Sequence, residues 1–365
     1  MTEEEQRSKR PTPNFERSMS NEERRMADGR HTDDRGQKSP RRPATGQVAT
    51  WRQAPTWKIE NLIAGSLEHC ELCPRRCGVN RAMGHLGYCR AGRATQIFRY
   101  GSHPGEEPPI SGTRGSGAIF FSRCTLRCVY CQNYSWSQEG CGETHTVEEL
   151  AGILGALRAE GCHNWNLVSP TSWLPMIVEA LARARAAGQN LPVVYNTSGF
   201  ERVETVRAMA GKADVYLTDL RYASSEAAMR GSDAAAYVEC ARAALLEMWR
   251  QAGPLVVDAE GVAVCGVICR LLILPGLARE ACASLEWLAD KIGPKLAVSV
   301  MAQYTPTYRA IGQVPWSRAI TRAEYNVVCR TVERLGFTEG WIQDFGVASG
   351  DTLAGFNMSP RGKTE

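Results

Sequence analysis

Residues 117–132 read GAIFFSRCTLRCVYCQ. The apolar run Ala118–Phe121 has the aromatic and β-branched content of a short buried strand, and a loop from Ser122 to Gln132 follows it directly. That loop carries Cys124, Cys128 and Cys131 at C-x3-C-x2-C spacing. Three thiolates on one short loop suit three irons of a [4Fe–4S] cube and leave the fourth iron without a protein ligand. A site closed by four cysteines mainly passes electrons, whereas an open iron can bind and reduce a small molecule, so the spacing points to catalysis. Zinc sites usually pair C-x2-C with a second, distant pair and fit the triplet poorly. Buried structural cysteines or a disulfide are the plain alternative; three cysteines within eight residues, in a chain with no secretory segment, count against it.

Outward from this loop, similar apolar runs recur at Asn166–Ser169, Pro192–Asn196, Val215–Thr218, Val267–Ile273, Ala297–Gln303 and Gly340–Phe345. Stretches rich in Ala, Leu and Arg with helical spacing fall between them, at Thr146–Glu160, Leu174–Ala187, Val203–Ala210, Ala234–Gln251, Ala278–Ile292 and Thr321–Leu335. Regular alternation of this kind predicts an α/β fold with a parallel sheet. Six or seven strands favour a partial barrel over a complete eight-fold one. In such folds the chemistry gathers at the C-terminal ends of the strands.

The chain has 365 residues, 43% hydrophobic and 22% charged, with a net charge of +4, which is ordinary for a globular enzyme and too weak to argue for nucleic acid. Residues 1–50 almost lack aliphatic side chains and read as a disordered charged tail. A cysteine-rich segment is expected at 51–105, the catalytic barrel at 106–350 and a flexible tail at 351–365. Neither an apolar run of 18 residues nor an apolar leader is present, so the expectation is a cytoplasmic protein with no membrane association. Of fourteen cysteines, seven fall between Cys70 and Cys131. Cys162, Cys240, Cys265, Cys269, Cys282 and Cys329 sit in apolar or helical stretches and read as buried small hydrophobes. Cys141 has no assignment.

Cys70, Cys73, Cys77 and Cys89 give C-x2-C-x3-C-x11-C. Four thiolates at short spacing can close a metal site, and both structural zinc and a second iron–sulfur cluster fit. Arg75, Arg76, Arg81, Arg90 and Arg93 make this segment basic, with solvated charge as the default reading.

With Tyr130 as its aromatic position, the triplet resembles the C-x3-C-x-φ-C signature of the radical S-adenosylmethionine (radical SAM) family. The flanks EEPPISGTRGSGAIFF (106–121) and CQNYSWSQ (131–138) resemble the branch related to pyruvate formate-lyase activating enzymes. The resemblance runs from about Cys70 to Phe345 and implies a (β/α)6 partial barrel. It also implies a [4Fe–4S] cluster on Cys124, Cys128 and Cys131 that binds S-adenosylmethionine and cleaves it reductively to a 5′-deoxyadenosyl radical. Hydrogen abstraction follows, from a glycyl-radical partner enzyme or from a small molecule, with electrons from a donor such as flavodoxin or ferredoxin. A non-enzymatic iron–sulfur electron carrier is the rival from another class; a row of polar strand ends counts against it.

The same resemblance, read residue by residue, implies a cofactor-binding set at the strand ends. The Gly-Gly-Glu-Pro-like motif of many family members is absent, and Ser169, Pro170 and Thr171 stand in its place. Asn196 and Ser198, in NTSGF, match an Asp-Thr-Asn-Gly-Phe run with Asn for Asp. Asp219 and Arg221, in TDLRY, fall on one side of an extended backbone, and the Arg221 guanidinium suits the methionyl carboxylate. Arg270, in CRLLILPG, needs a charge partner if buried, and a bound carboxylate would be one. Tyr130 completes the set. Gln303, Tyr304 and Thr305 suit either a ligand pocket or aromatic packing.

Overall fold

The computed structural model describes Ile63 and residues 65–346; the expected tails 1–50 and 351–365 lie outside the described residues. Seven strands run parallel: β2 (Ser116–Phe121), β4 (Trp165–Val168), β5 (Val193–Thr197), β6 (Val215–Asp219), β8 (Ala263–Leu272), β9 (Ala297–Met301) and β10 (Gly340–Ile342). Three more are antiparallel to a neighbour: β1 (Thr95–His103) to β2, β3 (Glu143–His145) to β1, and β7 (Val256–Val257) to β8. The sheet order is β10-β9-β8-β6-β5-β4-β2-β1-β3, with β7 off the path, so the two end strands do not pair and the barrel stays open.

The helices, in chain order, are α1 (Pro108–Ser111), α2 (Tyr134–Ser137), α3 (Val147–Ala159), α4 (Leu174–Ala186), α5 (Val203–Ala208), α6 (Ser225–Ser232), α7 (Tyr237–Ala252), α8 (Ala278–Lys291) and α9 (Arg322–Leu335). Six helical crossovers thus join the seven parallel strands, the α/β partial barrel expected from the sequence. Two starts are fixed locally. Thr146 and Glu149 form a capping box at α3, and Thr321 and Glu324 form another at α9, each satisfying two orphan amide donors of a first turn.

β1, β3, β7 and α6 were not among the expected elements. β1 mixes polar and apolar residues, TQIFRYGSH, because it lies near the antiparallel margin of the sheet rather than in its doubly covered centre. Its nine residues carry the end of the cysteine-rich stretch 51–105 into the barrel sheet. α6 is only eight residues long, SEAAMRGS, with Met229 as its one large apolar side chain, so no apolar run marks it.

Strand period two stacks the barrel interior in layers. Val194, Val215, Leu217, Ile268 and Ala297 pack with Ile110 of α1 in an apolar lower layer. Two residues on in three of these strands come Asn196, Arg270 and Ser299, so the next layer is polar. Glu106 and Glu107, in the segment leading into α1, fill it: both are buried, Glu107 completely.

All fourteen cysteines are free thiols. Cys162 and Cys269 are buried as expected, while Cys240, Cys265, Cys282 and Cys329 are only half-buried. No helix among the described residues is long and apolar enough to cross a membrane.

Candidate active site

The loop after β2 places Cys124, Cys128 and Cys131 at the C-terminal mouth of the barrel, and each sulfur has a neighbour that can donate to it. The Leu126 amide donates to Cys124 Sγ at 3.5 Å, and Cys131 Sγ lies 3.2 Å from Ser137 Oγ of α2. Cys128 Sγ lies 3.0 Å from Ser232 Oγ at the end of α6 and accepts from Arg221 Nη1 at 3.0 Å. The loop backbone is held there too, because the amides of Arg127 and Val129 donate to the carbonyls of Ser232 and Gly231. Burial, reinforced by the neighbouring Cys128, pushes the Cys124 thiol up to about 12 and the Cys131 thiol up to about 11. Both therefore stay protonated at neutral pH until a metal displaces the protons. Three convergent thiols with hydrogen-bond donors around them fit an iron–sulfur cluster bound by three cysteines.

Asp219 and Arg221, on one side of the strand end, pair with each other. Arg221 Nε donates to Asp219 Oδ2 at 2.9 Å and Nη2 to the same oxygen at 2.5 Å. Burial works to lower the Arg221 pKa, but Asp219 and then Cys128 outweigh it and hold it well above its ordinary value. The guanidinium thus bridges a carboxylate and a cluster thiol. Gly199, in the loop after β5, has φ +81°, and a Cβ there would lie 2.2 Å from the Asp219 carbonyl oxygen, so the close crossing of these two strand ends requires glycine. Tyr237 seals the crossing by donating to the Ser198 carbonyl at 2.8 Å.

Arg270 finds its charge partners inside the chain. Its Nε donates to Glu107 Oε1 at 2.8 Å, its Nη2 to Glu107 Oε2 at 2.5 Å, and Nη2 also contacts Glu106. Asn166 Nδ2 and Asn196 Nδ2 donate to Glu106 Oε1 at 2.9 and 3.3 Å, and Ser299 donates to Glu107 at 2.7 Å. Sequence reasoning assigned this charge to a bound carboxylate and missed both glutamates. The signal was the EE of EEPPIS, two adjacent acids ahead of two prolines. Asn166 Oδ1 is buried in this cluster without a hydrogen-bond partner, an acceptor still to be satisfied.

Ser169 has φ +58° at the end of β4, and its amide donates to the Asn196 carbonyl at 2.9 Å. Thr171 donates to Glu201 Oε1 at 2.5 Å, as does Thr197. Glu201 is another residue the sequence reading missed. Burial raises its carboxyl to about 7, against the pull of Thr171 and Thr197 hydrogen bonds.

Tyr130 is buried in the core, packed edge-on to Tyr304 at 5.8 Å and against Trp316, with its hydroxyl 2.5 Å from that of Tyr222. Tyr304 is buried as well and donates to the Trp316 carbonyl at 2.7 Å, so its aromatic packing is the realised alternative. Cys141 is exposed and does not line the pocket of the four N-terminal cysteines; its carbonyl accepts from Ser122 Oγ at 2.5 Å.

Cys70, Cys73, Cys77 and Cys89 line a single pocket beside the loop. The basic segment around them departs from the solvated reading at two positions. Arg81 is 1% exposed and donates twice to the Gly92 carbonyl, and Arg75 is half-buried against the ring of Tyr88. Arg76, Arg90 and Arg93 are exposed.

Residues 118–251 match the family model described as the radical SAM superfamily. The uncharacterized protein MJ0674 of Methanocaldococcus jannaschii is 30% identical over 289 residues, covering 76% of this chain and 78% of that one. The X-ray structure of the FeFe-hydrogenase maturase HydG from Carboxydothermus hydrogenoformans superposes with a TM-score of 0.41 at 14% identity. That superposition covers 60% of this chain, which spans 50% of the HydG chain.

Proposed function

The chain belongs to the radical SAM superfamily, and from that premise we propose that it is an activating-enzyme-like enzyme holding a [4Fe–4S] cluster on Cys124, Cys128 and Cys131. Those cysteines would hold the cluster, whose chemistry when bound would be to give one electron to S-adenosylmethionine, splitting it into methionine and a 5′-deoxyadenosyl radical able to take hydrogen from a substrate. The observation that carries this reading is the convergence of the three thiols at the barrel mouth, each beside a hydrogen-bond donor of its own.

The chain's own residues supply position and shelter. Arg221 and Ser232 orient the Cys128 sulfur, and the buried tyrosines behind the loop keep water from that side. The Asp219–Arg221 pair, Ser169, Ser198 and the polar layer around Asn196 and Arg270 form the strand-end wall against which the cofactor is held. Asn166 Oδ1 offers an unmatched acceptor to an incoming donor such as the methionyl ammonium. The proposal extends to a glycyl-radical enzyme or a small molecule as substrate, to flavodoxin or ferredoxin as electron source, and to zinc or a second iron–sulfur cluster on the N-terminal cysteines.

Anaerobic reconstitution with iron and sulfide, reduction, and addition of S-adenosylmethionine tests it. 5′-Deoxyadenosine is the expected product; an intact cluster that binds the cofactor and cleaves none of it overturns the reading.

A further inference from the structure

The N-terminal cysteines and the cluster loop are 35 positions apart in sequence, from Cys89 to Cys124, yet three side chains tie them together. Arg75, between Cys73 and Cys77, donates through Nε to the Thr125 carbonyl inside the loop at 3.2 Å and through Nη2 to the Asp233 carbonyl at 2.5 Å. Tyr88, next to Cys89, donates to Asp233 Oδ2 at 2.6 Å, and its carbonyl accepts from Arg127 Nη2 at 3.1 Å. The guanidinium groups of Arg75 and Arg127 lie 3.8 and 4.3 Å from the centre of the Tyr88 ring. Asp233 closes α6, the helix whose last two carbonyls hold the Arg127 and Val129 amides. The knot, the loop and the end of α6 therefore form one clamp.

The four knot cysteines line one small pocket. It is built tightly around the thiols: a Cβ on Gly87 would lie 2.9 Å from Cys77 Sγ, and the Tyr88 amide donates to that sulfur at 3.4 Å.

We propose that Cys70, Cys73, Cys77 and Cys89 together hold one metal centre closed by four thiolates, zinc or a [4Fe–4S] cluster, which fixes the catalytic loop through the positioning residues Arg75 and Tyr88. The coupling rests on the radical SAM reading of the triplet; the occupant of the knot does not.

Two measurements test the two halves. The triple variant Cys124→Ala, Cys128→Ala, Cys131→Ala, reconstituted anaerobically, should retain metal on the knot: one zinc, or iron with an equal amount of labile sulfide and an electron paramagnetic resonance (EPR) signal on reduction. No bound metal, or metal that stays when Cys70→Ser and Cys89→Ser are added, overturns the centre. For the coupling, Cys70→Ser with Cys89→Ser should raise amide hydrogen exchange in residues 124–131. Arg75→Met, which keeps all seven thiols, covers the case in which the double variant fails to fold. It should raise the same exchange about tenfold, as expected for one or two lost hydrogen bonds, and alter the EPR spectrum of the catalytic cluster. Unchanged exchange and an unchanged spectrum overturn the coupling. If 5′-deoxyadenosine never forms while the triple variant still holds metal, the enzymatic reading falls and the knot centre stands.

Discussion

The two cysteine sets are built in opposite ways. The knot closes largely on its own backbone: the Cys70 amide donates to Val79, the Gly78 amide to Cys70, and the contacts to Cys77 come from Gly87 and Tyr88. The triplet leans on distant chain, since the neighbours of Cys128 are 93 and 104 positions further on. A local knot needs little more than its metal to be specified, whereas a loop held by strand ends and helix ends exists only once the barrel has formed. The first arrangement suits a lock and the second a site whose chemistry must answer to a pocket.

Attacking the triplet should produce the largest effect. Cys128→Ala is expected to abolish cleavage of S-adenosylmethionine, measured as 5′-deoxyadenosine, while leaving the metal content of the knot intact; loss of metal from both sets would dissolve the distinction. Next comes the barrel on which the triplet leans. Arg270→Met strands Glu106 and Glu107 without their guanidinium, and breaking a buried pair costs about 3–5 kcal/mol. Urea unfolding measures that loss, and iron bound at the triplet should fall before iron or zinc bound at the knot.

Glu201 sharpens the comparison because it touches both sides: it accepts from Thr171 and Thr197 at the strand ends, and its charge is felt at Cys73. Its folded-state pKa of about 7 stands above the ordinary 4.5. The folded chain therefore binds the extra proton between those values, so this carboxyl's contribution is fully present below pH 4.5 and is lost as pH rises toward 7. The loss is on the order of 3 kcal/mol. Glu201→Gln should flatten that part of the stability profile, read as melting temperature against pH; an unchanged slope contradicts the assignment. Cys141→Ser should do least. Its thiol is exposed and belongs to neither cysteine motif, so iron content and cleavage should match the parent chain.

The parallel strands were legible because buried strands of this kind read as unbroken apolar runs, and VVYNT and VYLTD fall where those runs do. The triplet was legible because its ligands lie on one loop. The support around it was not. Ser232 and Asp233 reach the loop only through the packing of α6, a short helix with Met229 as its one large apolar side chain, and Glu106 reaches Arg270 across 164 positions. Pairing that distant is a property of topology, and spacing along the chain carries no trace of it. Arg75 and Arg81 misled for a related reason, since a buried arginine and a solvated one look alike in a row of letters.

The buried hydroxyls behind the loop make a chain: Tyr130 to Tyr222 at 2.5 Å, Tyr222 to Ser232 at 2.7 Å, and Ser232 to Cys128 Sγ at 3.0 Å. A hydrogen bond to a thiolate sulfur draws electron density from the metal and favours the more negative, reduced state. Links in such a chain polarise one another, so with a cluster held on Cys128 a change at Tyr130, two hydroxyls away from the sulfur, would reach it as a change in reduction potential. The aromatic residue of the signature would then help to set how readily that cluster accepts its electron.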